Sequence, residues 1–251
     1  MMINDPTFYI ATAIAVVILG ISKSGFGSGL GVLAVPIMAL VIRPTQAAAI
    51  LLPLLIVMDF FNVLHYRDNF DRKNLAILVP AAIAGILIGT FTFRYLSDAH
   101  IRILIGVLSV MFVFQFFYGR RNGGKQTGPS VLRGGFWGSL AGFTSFGVHA
   151  GGPPVSVYLL PQRMNKTTFV GTTVIFFAIV NIIKLVPYYF LGQLNGDNLL
   201  TSLVLAPLAP IGVWVGIKLH DRVNEKLFYN LAYFFLFVTG IKLLYDGITT
   251  L

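Results

Sequence analysis

Long apolar runs follow one another with little polar interruption, and this succession constrains the fold more than any other feature. The runs fall at 8–22, 30–42, 44–64, 74–96, 101–118, 131–146, 153–162, 167–191, 198–219 and 227–245. About twenty apolar helical residues cross a bilayer core of about 30 Å, and several runs reach that length. Charged residues make up 11% of the 251 positions, against about 25% in an ordinary soluble domain. So few charges cannot cover a soluble surface, which excludes soluble enzymes and soluble binding modules. The expected fold is an all-α polytopic membrane protein, a single transmembrane domain over 1–251 with the lipid bilayer as its surroundings.

The remaining composition narrows the chemistry. Lys and Arg number 18 against 9 Asp and Glu. Basic flanking loops of a membrane protein account for that excess, so no nucleic-acid partner is expected. Cysteine is absent, which excludes disulfides, thiolate metal sites and thiol nucleophiles. The four His are scattered with no HExxH spacing, and no Walker sequence is present. No metal and no cofactor are therefore expected. The opening MMINDPTFYI has no Lys or Arg, unlike the basic start of a secretory signal. The first apolar run is expected to remain as a membrane element.

The chain reads as two related halves. Gly119–Ser130 is the one clearly polar stretch and serves as a linker between repeat one, 8–118, and repeat two, 131–251. Gly25-Phe-Gly-Ser-Gly-Leu-Gly31 has a counterpart in Ser145-Phe-Gly-Val-His-Ala-Gly-Gly152. Asn62 is matched with Asn181, and Pro80, Gly85 and Gly89 with Pro207, Gly212 and Gly216. Landmarks kept in one order are the mark of an internal repeat.

Charge counting then sets the topology. Lys23, Lys184 and Lys242 lie inside apolar runs, which leaves fifteen basic residues near segment ends. If the interrupted segments 8–42 and 131–162 each cross the membrane once, these residues split seven against eight and no orientation is preferred. If each is a re-entrant hairpin, twelve fall on one side and only Arg43, Arg94 and Arg102 on the other. The positive-inside bias favours the hairpins and puts both termini outside. Each half is then a re-entrant hairpin plus three transmembrane helices. Three crossings invert the second half, giving two inverted-topology repeats, a common transporter plan.

The interruptions are where chemistry is expected. The first holds Lys23, Ser24, Gly25, Gly27, Ser28 and Gly29, and the second Ser145, Gly147, His149, Gly151 and Gly152, followed by Pro153 and Pro154. Glycine bares the backbone amides, and proline suits the first turn of a new helix. Both stretches read as a helix that stops and a half-helix that restarts inside the membrane, whose free N–H groups and positive end form an anion site. Close glycine packing is the competing explanation. For Gly85/Gly89 and Gly212/Gly216, internal packing is preferred to a dimer contact.

Ionisable groups inside a membrane are costly and usually functional. Lys23 is placed to supply positive charge, or to snorkel. Asp59 either carries a coupling proton or neutralises Lys23. His149 either titrates with the cycle, as imidazole does near neutral pH, or is a neutral hydrogen-bonding residue. Lys184, three residues after Asn181, is a second cation candidate or a snorkelling residue, whereas Lys242 is expected to snorkel. Asn62 and Asn181 are matched polar groups, and Ser24, Ser28 and Ser145 are candidate donors to oxyanions. Two sequence observations also open other readings. Ser145 and His149 stand at i,i+4, the spacing of a possible protease dyad, but a Gly-rich break disrupts that helix. An anion channel would use the same charges along a continuous pore.

With these positions in hand, the sequence resembles the TauE/SafE family of sulfite exporters along essentially its whole length. The likeness rests on ISKSGFGSGLGVLAVPIMAL at the first break, Ala48-Ala-Ile-Leu-Leu-Pro53, Asp59-Phe-Phe-Asn62 with His65-Tyr-Arg67, and GVHAGGPP at 147–154. The resemblance implies a secondary transporter, not an enzyme, for a small sulfur-containing anion such as sulfite or an organosulfonate. It also implies a multi-pass protein of the cell membrane. The expected mechanism is alternating access with the anion between two half-helix ends, proton-linked through Asp59 or His149. An anion channel is the alternative.

Overall fold

Short caps and prolines cut the apolar runs into eleven α-helices among the described residues. A computed structural model describes residues 6–25, 31–119, 126–219 and 225–251. In chain order the helices are α1 (Pro6–Gly25), α2 (Ala34–Ala39), α3 (Pro44–Tyr66), α4 (Arg72–Phe93), α5 (Asp98–Gly119), α6 (Val131–Val148), α7 (Gly152–Leu159), α8 (Lys166–Phe190), α9 (Gly196–Leu205), α10 (Leu208–Leu219) and α11 (Glu225–Thr249). No strand occurs among the described residues. Helix starts follow local chemistry. Pro44 occupies the first turn of α3, where its missing N–H costs nothing. The side chains of Asp71, Ser130, Asn165 and Asn195 accept from the third residue of α4, α6, α8 and α9, satisfying N–H groups that a helix start otherwise leaves open.

Among the described residues four helices, α1, α3, α4 and α8, are long and apolar enough to cross a membrane, and α9 with α10, bent by 45°, passes the same test as a pair, as a broken span or a re-entrant loop. The run at 198–219, read above as one segment, is therefore two helices. Pro207 sits at the bend, where it lacks an N–H and its ring crowds the carbonyl one turn back, while Ala206 before it stays in helical conformation. Its sequence counterpart Pro80 lies inside the continuous α4.

The core is built from pairs of helices. The closest are α4 with α6, α5 with α11, α1 with α10, and α3 with α8. In α4/α6, Gly134 faces Ile77, Gly142 faces Ala82 and Gly89 faces Phe146, so the two helices run parallel. In α1/α10, Gly20 lies on Gly212 and Gly25 on Gly216, also parallel. The α5/α11 pair is antiparallel, with Gly106 against Gly240 and Gly247 against Ala99. So is α3/α8, where Asp59 meets Asn181 and Tyr66 packs near Val170 and Val174. Glycine permits the close parallel crossings. A Cβ on Gly85 would overlap the Ser139 carbonyl oxygen, and one on Gly142 the Ala82 carbonyl oxygen. Gly85, Gly89, Gly212 and Gly216 thus pack inside the chain.

Basic residues collect at one end of this bundle. The α3–α4 and α7–α8 turns meet there. The Asp71 amide donates to Thr172, and Asn74 and Gln162 exchange a reciprocal pair of amide bonds at 2.9 and 3.0 Å. Arg67, Arg72, Lys73, Arg163 and Lys166 lie in or beside these turns. At the other end Arg43 pairs with Asp98, Arg102 donates to the Ala39 carbonyl, and Gln46 reaches Asn198.

Candidate functional site

The α3/α8 pair carries the polar residues of the protein interior on two matching stripes. Asp59, Asn62 and Tyr66 stand at i, i+3 and i+7 on α3, and Asn181, Lys184 and Tyr188 repeat that spacing on α8. Such spacing puts three side chains on one helix face. Asp59 lies fifteen residues from the start of α3, and Asn181 fifteen from the start of α8. Two helices crossing there bring both stripes together well inside the membrane span.

The first half of the cluster is an ion pair. Lys23, in the last turn of α1, places Nζ 2.6 Å from Asp59 Oδ1, with both side chains nearly inaccessible. At that distance the contact is a buried charge pair. The other carboxylate oxygen accepts from Asn181 Nδ2 at 2.7 Å. Asp59 is thus the ion-pair partner of Lys23.

The second half holds a lysine with neutral partners. Lys184 is 0% exposed. Its Nζ contacts the Ser145 carbonyl at 3.0 Å, Ser145 Oγ at 3.1 Å and His149 Nδ1 at 2.7 Å. His149 Nε2 lies 2.9 Å from the Ala48 carbonyl. A carbonyl only accepts, so Nε2 carries a proton. With Lys184 donating to Nδ1, these contacts fit the neutral Nε2–H tautomer. In this arrangement both ring nitrogens are occupied within the protein.

Backbone geometry at the second break explains how His149 reaches this position. His149 caps α6 in the left-handed region at φ 53°. This conformation costs most side chains about 1–2 kcal/mol, and His is among the few types that adopt it more readily. Its N–H returns to the Ser145 carbonyl at 3.1 Å, and that of Ala150 to the Thr144 carbonyl at 3.2 Å. The Thr144 hydroxyl donates to the Ala150 carbonyl.

Two tyrosines close the ends of the interrupted helices in the same way. Tyr66 donates to the Ser24 carbonyl at 2.8 Å, and Tyr188 to the Phe146 carbonyl at 2.6 Å. Each bond spans 42 residues, and a shift of 122 converts one into the other. The same shift sets Asp59 against Asn181, Asn62 against Lys184 and Lys23 against Ser145. The sequence match of Asn62 with Asn181 is thus displaced by three residues, almost one helical turn. The repeated Tyr at i+7 was the signal for the correct register.

The expected site residues divide as follows. Lys23, Asp59, Asn181, Lys184, Ser145 and His149 come together, and Lys23, Ser145, His149, Gly152 and Asn181 line a small cavity of about 20 Å³ with Leu19, Leu55 and Phe177. That space suits a single water and is too small for an oxyanion. Gly151 packs on Phe177 and Ser145 beside it. Asn62 is fully buried, and among the described residues neither its amide atoms nor the Ser24 hydroxyl has a hydrogen-bond partner. Gly25 ends α1 against Gly216. Ser145 and Gly147 lie within α6 rather than in a bare loop. A Cβ on Gly147 would overlap the Phe93 ring, so packing selects glycine there. Gly27, Ser28 and Gly29 lie outside the described residues. Lys242 sits near the end of α11 beside Asp246, with its side chain 57% exposed.

The start of α7 offers fewer amides than a free helix end. Pro153 and Pro154 have no N–H, so the amides there belong to Gly151 and Gly152. Side chains therefore outnumber backbone donors around the cavity. No group of His, Asp or Glu able to hold a metal occurs among the described residues.

A family model described as "Sulfite exporter TauE/SafE" matches residues 12–243. No curated protein and no solved structure matches the chain.

Proposed function

The chain belongs to the sulfite exporter TauE/SafE family, and on that premise we propose that it is a secondary transporter of a small sulfur-containing anion, sulfite or an organosulfonate. It works by alternating access in the cell membrane and is not an enzyme. The observation that carries this reading is the buried cluster itself. Two lysines and one carboxylate lie buried on α1, α3 and α8; Lys23 lines the small cavity, and Asp59 and Lys184 contact the lining residues Lys23, Asn181, Ser145 and His149. Isolated buried charges are strongly disfavoured unless compensated, and an excess of buried lysine over carboxylate suits an anion. Lys23 and Lys184 supply the charge. Asn181, Asn62, Ser24, Ser145 and the amides of Gly151 and Gly152 supply donors, and the first-break residues Gly25, Gly27, Ser28 and Gly29 and the second-break Gly147 complete the two ends. The cavity must widen to admit the anion, as a site closed between two access states would.

The helix directions support two inverted repeats, 8–118 and 131–251, joined by 119–130. Under a two-fold axis in the membrane plane, elements that pair with their own counterpart must be antiparallel, as α3/α8 and α5/α11 are. Elements that exchange partners, α1/α10 and α6/α4, are equivalent pairs with the same parallel sense. The basic end faces the cytoplasm on the positive-inside rule, with both termini outside.

A thermal-shift screen of the purified protein against sulfite, sulfate, thiosulfate, sulfoacetate and taurine tests the reading, followed by uptake into proteoliposomes. A ligand at a hundred times its Kd stabilises the folded state by about 2.7 kcal/mol. Saturable uptake of a stabilising anion is the expected result. No stabilisation and no saturable uptake with any of the five would refute it.

A further inference from the structure

We propose that Lys184 carries a proton through the transport cycle, so that one proton accompanies each singly charged anion into the site. This rests on the anion-transport reading above. The argument starts from the three partners of Lys184 Nζ. The Ser145 carbonyl can only accept from it, and His149 Nδ1 accepts in the Nε2–H tautomer that the Ala48 carbonyl favours. The third partner, the Ser145 hydroxyl, both donates and accepts. An ammonium uses three hydrogens here, with the hydroxyl accepting. A neutral amine uses two hydrogens and receives the hydroxyl proton on its lone pair. Rotation of one O–H bond therefore satisfies both protonation states without moving a heavy atom.

The charge inventory says which state goes with which occupancy. Lys23 and Asp59 cancel. The other titratable or charged groups around Lys184 are His149 on α6, neutral by its bonds, and Tyr188 on α8, whose hydroxyl donates to the Phe146 carbonyl. Of the other helices packed on α8, α3 adds Tyr66, whose hydroxyl donates to the Ser24 carbonyl, with His65 beside it near the basic end. Helix α4 has Arg72 and Lys73 at that end, and α7 has Tyr158, bonded to Ser130 close by. Among the described residues Lys184 has no carboxylate partner. With the cavity empty, a neutral Lys184 leaves every charge in the cluster compensated. With a monoanion bound, a protonated Lys184 does the same. In the binding step, Lys184–NH₂, a proton and the anion become Lys184–NH₃⁺ paired with the anion, both solutes coming from the aqueous side then open. Asp59, held by Lys23 and Asn181, and His149, held at both nitrogens, keep their protonation throughout.

The test is proton uptake on binding by the intact purified protein. Titration calorimetry with sodium sulfite and with sodium isethionate, in two buffers of different ionisation enthalpy at one pH, reads protons taken up per anion. Isethionate, a sulfonate that stays a monoanion near neutral pH, gives the stoichiometry; sulfite, which can itself take up a proton on binding, is read for binding alone. About one proton per bound monoanion is expected. Saturable binding with no proton uptake overturns this proposal and leaves the transporter reading standing. Absence of saturable binding by every anion of the screen removes both. Lys184→Arg keeps a permanent charge, so binding with proton uptake reduced to zero is expected. Continued uptake of one proton in that variant places the proton elsewhere and overturns the assignment. If the arginine is not accommodated, the wild-type stoichiometry alone decides.

Discussion

Replacing Asp59 by Asn removes one charge from the buried pair while keeping the size of the side chain. The Asn181 amide keeps an acceptor, because the substituted side chain still offers a carbonyl oxygen. What is lost is the counter-charge 2.6 Å from Lys23 Nζ. An ammonium 2% exposed is then uncompensated, and breaking a buried ion pair on one side costs about 3–5 kcal/mol. In a chain of this length that corresponds to a fall in Tm of roughly 6–20 °C. Adding Lys23→Met removes the orphaned charge. The double variant retains only the unpaired N–H of the new amide, a loss of about 1–3 kcal/mol, and so recovers part of the stability. Unfolding in detergent, followed by tryptophan fluorescence, measures both. Anion binding is expected to weaken in the double variant despite the recovery, because Lys23 lines the cavity. A double variant as unstable as Asp59→Asn alone would refute the pairing argument.

Further outcomes follow from the same geometry. Gly142→Ala should abolish folded protein, because its Cβ overlaps the Ala82 carbonyl oxygen, whereas Gly135→Ala, with open space around it, should match wild type in size-exclusion profile and Tm. Tyr66→Phe and Tyr188→Phe each leave one buried helix-end carbonyl unpaired. Each should lose about 1–3 kcal/mol in detergent unfolding, and losses of unequal size beyond that range would argue against their equivalence. A reporter fused at Leu251 should behave as extracytoplasmic, and cytoplasmic activity would overturn the inverted arrangement.

Apolar run length made the helices legible, since a bilayer tolerates little else. The Gly- and Pro-rich interruptions marked the places where helices stop, because those residue types alter backbone freedom whatever their surroundings. Lys23, Asp59, His149 and Lys184 stood out on cost alone, as charges or ionisable groups in apolar sequence. Their partners could not be read in this way. Lys184 meets Ser145 and His149 across 39 and 35 residues, and Asp59 meets Asn181 across 122. Spacing along one helix fixes which side chains share a face, but not which face of another helix meets it. The neutral tautomer of His149 follows from the Ala48 carbonyl on α3, a backbone atom with no signature in sequence. The bend at Pro207, where Pro80 lies in a continuous helix, is likewise a matter of packing. Sequence thus determined the elements and the expensive residues. Tertiary structure decided which charges are compensated, because compensation depends on contacts a few ångströms long between segments far apart in the chain.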